Sequence, residues 1–205
     1  MTPDELRALR EGWDFEAKLA TGQSGKGELP QTFWETYSAF ANTRGGKVLL
    51  GAKERSDGSF DFRGIQDARK VETDLWNLLK NPQKVSANLL SENDVEVFEL
   101  DGKTLMLIHV PKAPRDKRPV HIKGSWKTGT YLRVHEGDHR ASEETARRML
   151  ADAIPARDSA AIDDATFDDL DADSIYFYRG LLAASRPGHP FLESVLHPIF
   201  AEKLG

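Results

Sequence analysis

Ser38–Gly51 reads SAFANTRGGKVLLG and compresses a helix end, a double-glycine turn and a buried strand into fourteen residues. Aromatic and alanine residues recur at helical spacing up to this point, so we predict an amphipathic helix over residues 28–43. Gly45-Gly46 allows the positive φ angles of a tight turn, and the apolar run from Val48 then enters a sheet. The turn has a second interpretation, in which successive backbone N–H groups beside Arg44 form a nest for a phosphate.

Hydrophobic periodicity places further elements along the chain. Residues 13–19 alternate as a strand whose polar face carries Asp14, Glu16 and Lys18, and Asp101-Gly102 is a strong two-residue hairpin signal. The remaining predicted elements are helices over 3–10, 67–80, 142–153, 174–184 and 191–204, strands over 48–50, 95–100, 105–110, 120–123 and 130–134, and turns over 56–59 and 124–129. Together they predict an α+β fold, with a mixed, largely antiparallel sheet flanked by helices and a C-terminal helical extension.

Composition and charge divide the chain into three parts. We predict one domain over residues 1–153, an acidic linker over 154–173, and a helical extension over 174–205 that starts a further domain. Residues 151–205 hold four basic and ten acidic side chains, whereas residues 111–140 hold eight basic and three acidic ones. The net charge of −5 therefore conceals a local basic patch in the first domain.

Several classes of protein are excluded by composition. The chain has 205 residues and no cysteine, which rules out disulfides, thiolate metal sites and a cysteine nucleophile. This cysteine usage fits a reducing compartment, and we expect a cytoplasmic protein. No apolar run approaches membrane-spanning length, so we expect no membrane partner.

Three carboxylates form a candidate metal site. Glu11 precedes the first predicted strand, Glu16 lies within it, and Glu54 follows the strand that contains Val48. If the two strands are neighbours, their ends bring acidic side chains together, and Mg²⁺ or Mn²⁺ prefers such oxygen ligands. A metal held there activates water for phosphodiester hydrolysis. The alternative is that Glu16 pairs with Lys18 or Arg44 on the sheet surface.

Two further stretches resemble known motifs but lack a feature that each motif requires. Residues 135–139 match the H-E-x-x-H zinc pattern, which requires a helix, but Gly137 and the strand that runs into the motif predict a loop. Residues 21–27 are rich in glycine, yet they lack the P-loop spacing and the Ser or Thr after Lys26. We therefore predict a flexible, mildly basic loop there and no ATP site.

The basic patch interleaves cations with two aromatic side chains, a combination that holds phosphates and stacks unpaired bases. The residues that we assign to nucleic-acid binding are Lys26, Arg44, Lys112, Arg115, Lys117, Arg118, Lys123, Trp126, Lys127, Tyr131, Arg133 and Arg140. No helix-turn-helix, zinc-finger or RNP pattern implies sequence-specific reading of bases. The alternative is a basic surface loop whose two aromatic residues lie partly in the core.

A family resemblance joins these observations. The order of motifs is similar to that of the AlbA-2 domain of the Schlafen family, also described as a divergent AAA-4 domain. The resemblance covers residues 11–150 and is carried by residues 15–18, 29–30, 33–43, 45–46, 49–51, 64–65, 110–111, 119–120 and 129–134. It implies a DNA- or RNA-binding domain, which is the function that we predict.

The resemblance also implies a catalytic alternative. Nuclease-active Schlafen proteins use three carboxylates, and their first two resemble Glu11 and Glu16. Glu54 stands near the third, where the family favours an aspartate and Asp57 competes. Lys18 would steady the scissile phosphate of a Mg- or Mn-dependent endoribonuclease acting on structured RNA. The predicted DNA- or RNA-binding domain would belong to a transcriptional regulator. A third alternative is a regulator whose domain mainly mediates protein association, for example as a homodimer.

Overall fold

The computed structural model describes residues 12, 14–20, 27–153, 169, 171–189 and 192. The chain divides into two compact units, Met1–Pro155 and Ala156–Gly205. Several predicted segments lie wholly or almost wholly outside the described residues: the helices over 3–10 and 191–204, the loop over 21–27 and the linker over 154–173. Those domain assignments therefore stay predictions.

The first unit combines eight described strands with four described helices. The strands are β1 (Phe15–Lys18), β2 (Gly46–Leu50), β3 (Ala52–Glu54), β4 (Phe60–Phe62), β5 (Val95–Leu100), β6 (Lys103–Val110), β7 (Tyr131–Val134) and β8 (Gly137–Arg140). The helices are α1 (Gln31–Asn42), α2 (Ala68–Leu79), α3 (Trp126–Gly129) and α4 (Glu143–Ala153), with single 3₁₀ turns at Glu92–Asp94 and Arg115–Lys117. The second unit contains α5 (Ala172–Ser185), which Asp171 caps by accepting from the Ser174 N–H.

A four-stranded sheet with the order β1-β2-β6-β5 is the centre of the first unit. Strand β1 runs parallel to β2, whereas the β2–β6 and β6–β5 pairs are antiparallel. The predicted α+β fold with a mixed, largely antiparallel sheet is therefore confirmed. The Asp101-Gly102 hairpin is confirmed too, since both residues have positive φ angles, of 51° and 70°.

Helix α1 packs on one face of the sheet because most of its side chains are buried, among them four aromatic ones at helical spacing. Phe33, Tyr37 and Phe40 pack in one cluster with Val48 and Ile108 of the central strands. The hairpin of β3 and β4 contributes to a second cluster, which contains Leu49 and Leu107. Burying each of these large side chains contributes roughly 1.5–3 kcal/mol, so the two clusters hold the sheet between helix and hairpin.

The predicted strand over residues 120–123 is wrong. The segment makes only two isolated bridges, Val85 to Ile122 and His121 to Thr130. The backbone N–H and C=O of Val120 instead bond to a side chain of α1, and Lys123 turns the chain away with a φ of 58°. Strand pairing is lost because a side chain has taken the place of a neighbouring strand.

Among the described residues, no helix combines the length and apolar composition needed to cross a membrane.

Candidate functional site

Two polar side chains on the buried side of α1 hold the segment that leads into β7. The Ser38 hydroxyl donates to the Val120 C=O (2.7 Å) and accepts from the Tyr131 N–H (3.0 Å). The Asn42 amide donates to the C=O groups of Val120 (2.8 Å) and Tyr131 (3.1 Å) and accepts from the Val120 N–H (2.8 Å). Buried backbone groups require such partners. Ser38 and Asn42 belong to the motif over residues 38–51 that decides the fold. Their hydrogen bonds therefore also fix the position of the segment that carries the basic patch.

The turn after α1 is a close approach of two backbones. Gly45 has a φ of 83°, and a Cβ there would lie 2.9 Å from the Val110 C=O oxygen and 3.0 Å from the Lys112 nitrogen. Its own N–H donates to the Phe40 C=O (2.9 Å), which closes the helix. That N–H is thus not available to an anion. Of the two interpretations of this turn, the geometry supports the tight helix-to-strand connection.

A cleft of about 530 Å³ opens beside this turn. Within the described part of the chain, it is lined by Thr43, Arg44, Lys112, Arg133 and His135. The Ala113 N–H donates to the Ala41 C=O (2.8 Å), which brings the end of β6 to the end of α1. The tip of the β7–β8 hairpin supplies the remaining wall. Three segments that are distant in sequence therefore place basic side chains around one opening.

Arg133 is the buried member of this group, with 3% of its side chain exposed. It donates to Asp138 (2.8 Å), Glu16 (2.8 Å) and the Gly12 C=O (2.7 Å), and its guanidinium carbon lies 5.1 Å from the centre of the Phe40 ring. Burial by itself lowers the pKa of Arg133, but the bonds to the two carboxylates outweigh it, so the pKa is raised. Because its positive charge is paired with these two carboxylates, Arg133 has mainly a structural role.

The exposed side chains of the cleft are consequently those of Arg44, Lys112 and His135. His135 has a φ of 54° and stands in the turn between β7 and β8. Thr43 and His135 are lining residues that the sequence assignment to nucleic-acid binding omitted. In the sequence, His135 is the first residue of the H-E-x-x-H match, which assigns it to zinc binding instead. The motif runs through a turn into β8 and not along a helix, as zinc binding by this motif would require. The predicted loop is wrong for Gly137–His139, which pair with β7 in a hairpin.

Of the three carboxylates predicted to hold a metal, Glu16 and Glu54 lie among the described residues, and the predicted site stays a prediction. Glu16 bonds to Lys18 (2.9 Å) and Arg133 (2.8 Å), which confirms the predicted pairing with Lys18. Glu54 lies at the end of β3, whereas Glu16 stands opposite Val48 in the middle of β2. Glu11 lies outside the described residues. Among the described residues, no group of three His, Asp or Glu side chains is arranged to hold a metal ion.

Other predicted binding residues lie away from the cleft and have protein partners. Arg115 donates to the Asp152 C=O (2.6 Å), and half-buried Arg118 borders the same small cavity of about 80 Å³. Lys127 pairs with Glu143 (3.3 Å) and lies 5.5 Å from the centre of the Trp126 ring. These contacts join the basic patch to α4.

The last members of the predicted set line the outer surface. Lys117 and Lys123 are exposed, and Arg140 is exposed on β8 opposite Tyr131. The Tyr131 hydroxyl donates to Glu35 (3.2 Å), and burial together with that carboxylate raises its pKa. Tyr131 and Trp126 are both half-buried, as the alternative interpretation of the patch requires. Lys26 lies outside the described residues.

Comparison with known proteins agrees with the resemblance seen in the sequence. The family model described as Schlafen, AlbA_2 matches residues 11–142. The solution NMR structure of the N-terminal domain of an ATP-dependent DNA helicase RecG-related protein from Nitrosomonas europaea is 31% identical, with a TM-score of 0.48 over 68% of this chain and 90% of that one. The DIP2311 protein from Corynebacterium diphtheriae is 15% identical, with a TM-score of 0.46 over 84% of this chain and 30% of that one. No curated protein matches.

Proposed function

The chain belongs to the Schlafen AlbA_2 family, and we propose that it binds the phosphate backbone of single-stranded or structured DNA or RNA. The observation that carries this proposal is the cleft lined by Thr43, Arg44, Lys112, Arg133 and His135. In the described part of the chain, none of the residues that line it is acidic. Its volume of about 530 Å³ is of the size that holds a small ligand such as one nucleotide.

The lining side chains differ in how they bind a phosphate. Arg44 presents a planar guanidinium that can engage two phosphate oxygens, whereas the Lys112 ammonium is a compact charge on a flexible stem. His135 adds the polar nitrogens of its ring at the rim. Contacts of this kind fix the position of a strand but carry no base sequence. We therefore propose binding that tolerates many sequences and weakens with salt.

The test is a salt titration of binding to fluorescein-labelled decathymidylate and decauridylate, followed by fluorescence anisotropy. The variant Arg44→Gln/Lys112→Gln removes the two exposed fixed charges of the cleft. Each phosphate contact with a single strand contributes about 0.7 to the slope of log K against log salt, so we expect the slope to fall by about 1.4. The same comparison on DNA and RNA shows which sugar the site prefers.

The matched control is Lys53→Gln/Lys103→Gln, which removes two exposed lysines on β3 and β6. It changes the net charge of the protein by the same amount but leaves the cleft intact. We expect its salt slope to equal that of the wild type. Equal slopes for both double variants would show that general charge and not the cleft determines binding. Absence of wild-type binding to either strand at low salt would overturn the proposed function itself.

A further inference from the structure

A second pair of cations lies at the other end of α1. The Lys84 ammonium donates to the side-chain oxygen of Gln31, the first residue of the helix, over 3.3 Å. It also lies 5.4 Å from the centre of the buried Trp34 ring. The backbone N–H of Lys123 donates to the C=O of Lys84 (3.3 Å), so the two lysines are neighbours. Lys84 is half-buried and Lys123 is exposed.

These two lysines have no acidic counterpart in the described structure. Neither forms an ion pair with a carboxylate of the described residues. Burial lowers the pKa of Lys84, and the positive charge of Lys123 lowers it further. Like charges held side by side repel each other, and an anion placed between them removes that repulsion. The chemistry of the pair is therefore that of a phosphate contact.

We propose that Lys84 and Lys123 form a second phosphate site, and that one nucleic-acid strand spans α1 from this pair to the cleft. This inference rests on the proposed function of the cleft. Helix α1 has twelve residues, which at 1.5 Å per residue separates its ends by about 18 Å. Stacked nucleotides advance by about 3.4 Å, so a bound strand needs about five nucleotide steps to reach both sites.

A strand that contacts both sites would lie along the surface segment that connects them. Residues 123–135 run without a break from Lys123 to the cleft and cover α1, to which Ser38 bonds them at Tyr131. Exposed Arg140 lies on β8 opposite Tyr131 of β7, between the two ends. The Tyr131 ring packs against the core and its hydroxyl donates to Glu35 of α1, so Arg140 is the side chain of this pair that faces a phosphate. A strand along this segment thus meets a further cation between the two sites.

The test compares two labelled ligands, trithymidylate and decathymidylate, in the same salt titration. A trinucleotide is too short to reach both sites and is expected to bind at the cleft, which surrounds it with more side chains, whereas a decanucleotide reaches both. We expect Lys84→Gln/Lys123→Gln to lower the salt slope for decathymidylate by about 1.4 and to leave the slope for trithymidylate unchanged. Arg44→Gln/Lys112→Gln is expected to lower the slope for both ligands. Lys123→Gln alone, which leaves the contact with Trp34 intact, is expected to lower the decanucleotide slope by about 0.7.

Three other results would overturn either the second site or the proposed function. If both lysine variants bind decathymidylate as the wild type does, the second site is overturned and the cleft stands. If they weaken both ligands equally, the lysines do not form a separate site, and the inference is again overturned. If the wild type binds neither ligand, the proposed function fails and the second site with it. Thermal unfolding of each variant confirms that it is folded in the titration.

Discussion

Replacing Arg133 with methionine would test whether this arginine stabilises the fold through buried ion pairs and does not serve as an exposed phosphate-binding cation. Methionine keeps an apolar stem against Phe40 but removes the bonds to Glu16 and Asp138, whose side chains are only 16% and 13% exposed. Removing one partner of a buried ion pair costs about 3–5 kcal/mol, because a charge is left uncompensated. Lys18 still neutralises Glu16, so the orphaned charge is at Asp138 and we expect a loss of about 3 kcal/mol.

The assay is urea denaturation followed by tryptophan fluorescence, with thermal unfolding as a second measurement. A loss of this size lowers the melting temperature by roughly 10 °C for a domain of this length. Arg44→Met is the matched control, because it removes an exposed arginine from the same cleft. We expect it to change the free energy of unfolding by less than about 0.5 kcal/mol.

A second substitution separates loss of the pair from loss of packing. Asp138→Asn removes the orphaned charge but keeps a polar group that the Thr36 hydroxyl can bond. We expect Arg133→Met/Asp138→Asn to regain at least about 1 kcal/mol relative to Arg133→Met alone, since the two residues interact directly. The reasoning is refuted if Arg133→Met is as stable as Arg44→Met. It is also refuted if the second substitution adds a further loss.

Two further predictions concern stability. Asn42→Ala removes the bonds to the Val120 N–H and the Tyr131 C=O, whereas the Val120 C=O keeps the Ser38 hydroxyl. We expect a loss of about 3 kcal/mol in urea denaturation, against little change for exposed Asn77→Ala. Bonds from Ser91, together with the nearby His109, hold the pKa of Asp94 below its usual range. Its contribution is therefore complete above about pH 3.9 and is lost as the pH falls through the lower folded value. We expect Asp94→Asn to destabilise the protein at neutral pH but not in strong acid, and a deficit that persists in acid would contradict this.

Much of the fold was predictable because its signals are local. Asp101-Gly102 selects a hairpin through the φ angles that it tolerates, and the aromatic spacing before Thr43 selects a helix. The strand predicted over 120–123 failed because Asn42, a helical residue far away in sequence, bonds to the backbone of Val120. A local pattern contains no information about such a partner.

By itself, the sequence determined the order of the elements, the family and the location of the basic patch, since these follow from periodicity, turn chemistry and composition. Only the tertiary structure decided the role of each cation. Alternation along β7 places Arg133 and Tyr131 on one face, but it does not say that α1 covers this face. Covering it buries Arg133 between two carboxylates and leaves Arg44, Lys112 and His135 around the cleft. Burial and pairing depend on which segments meet in space, and for these residues the meeting partners are distant in sequence.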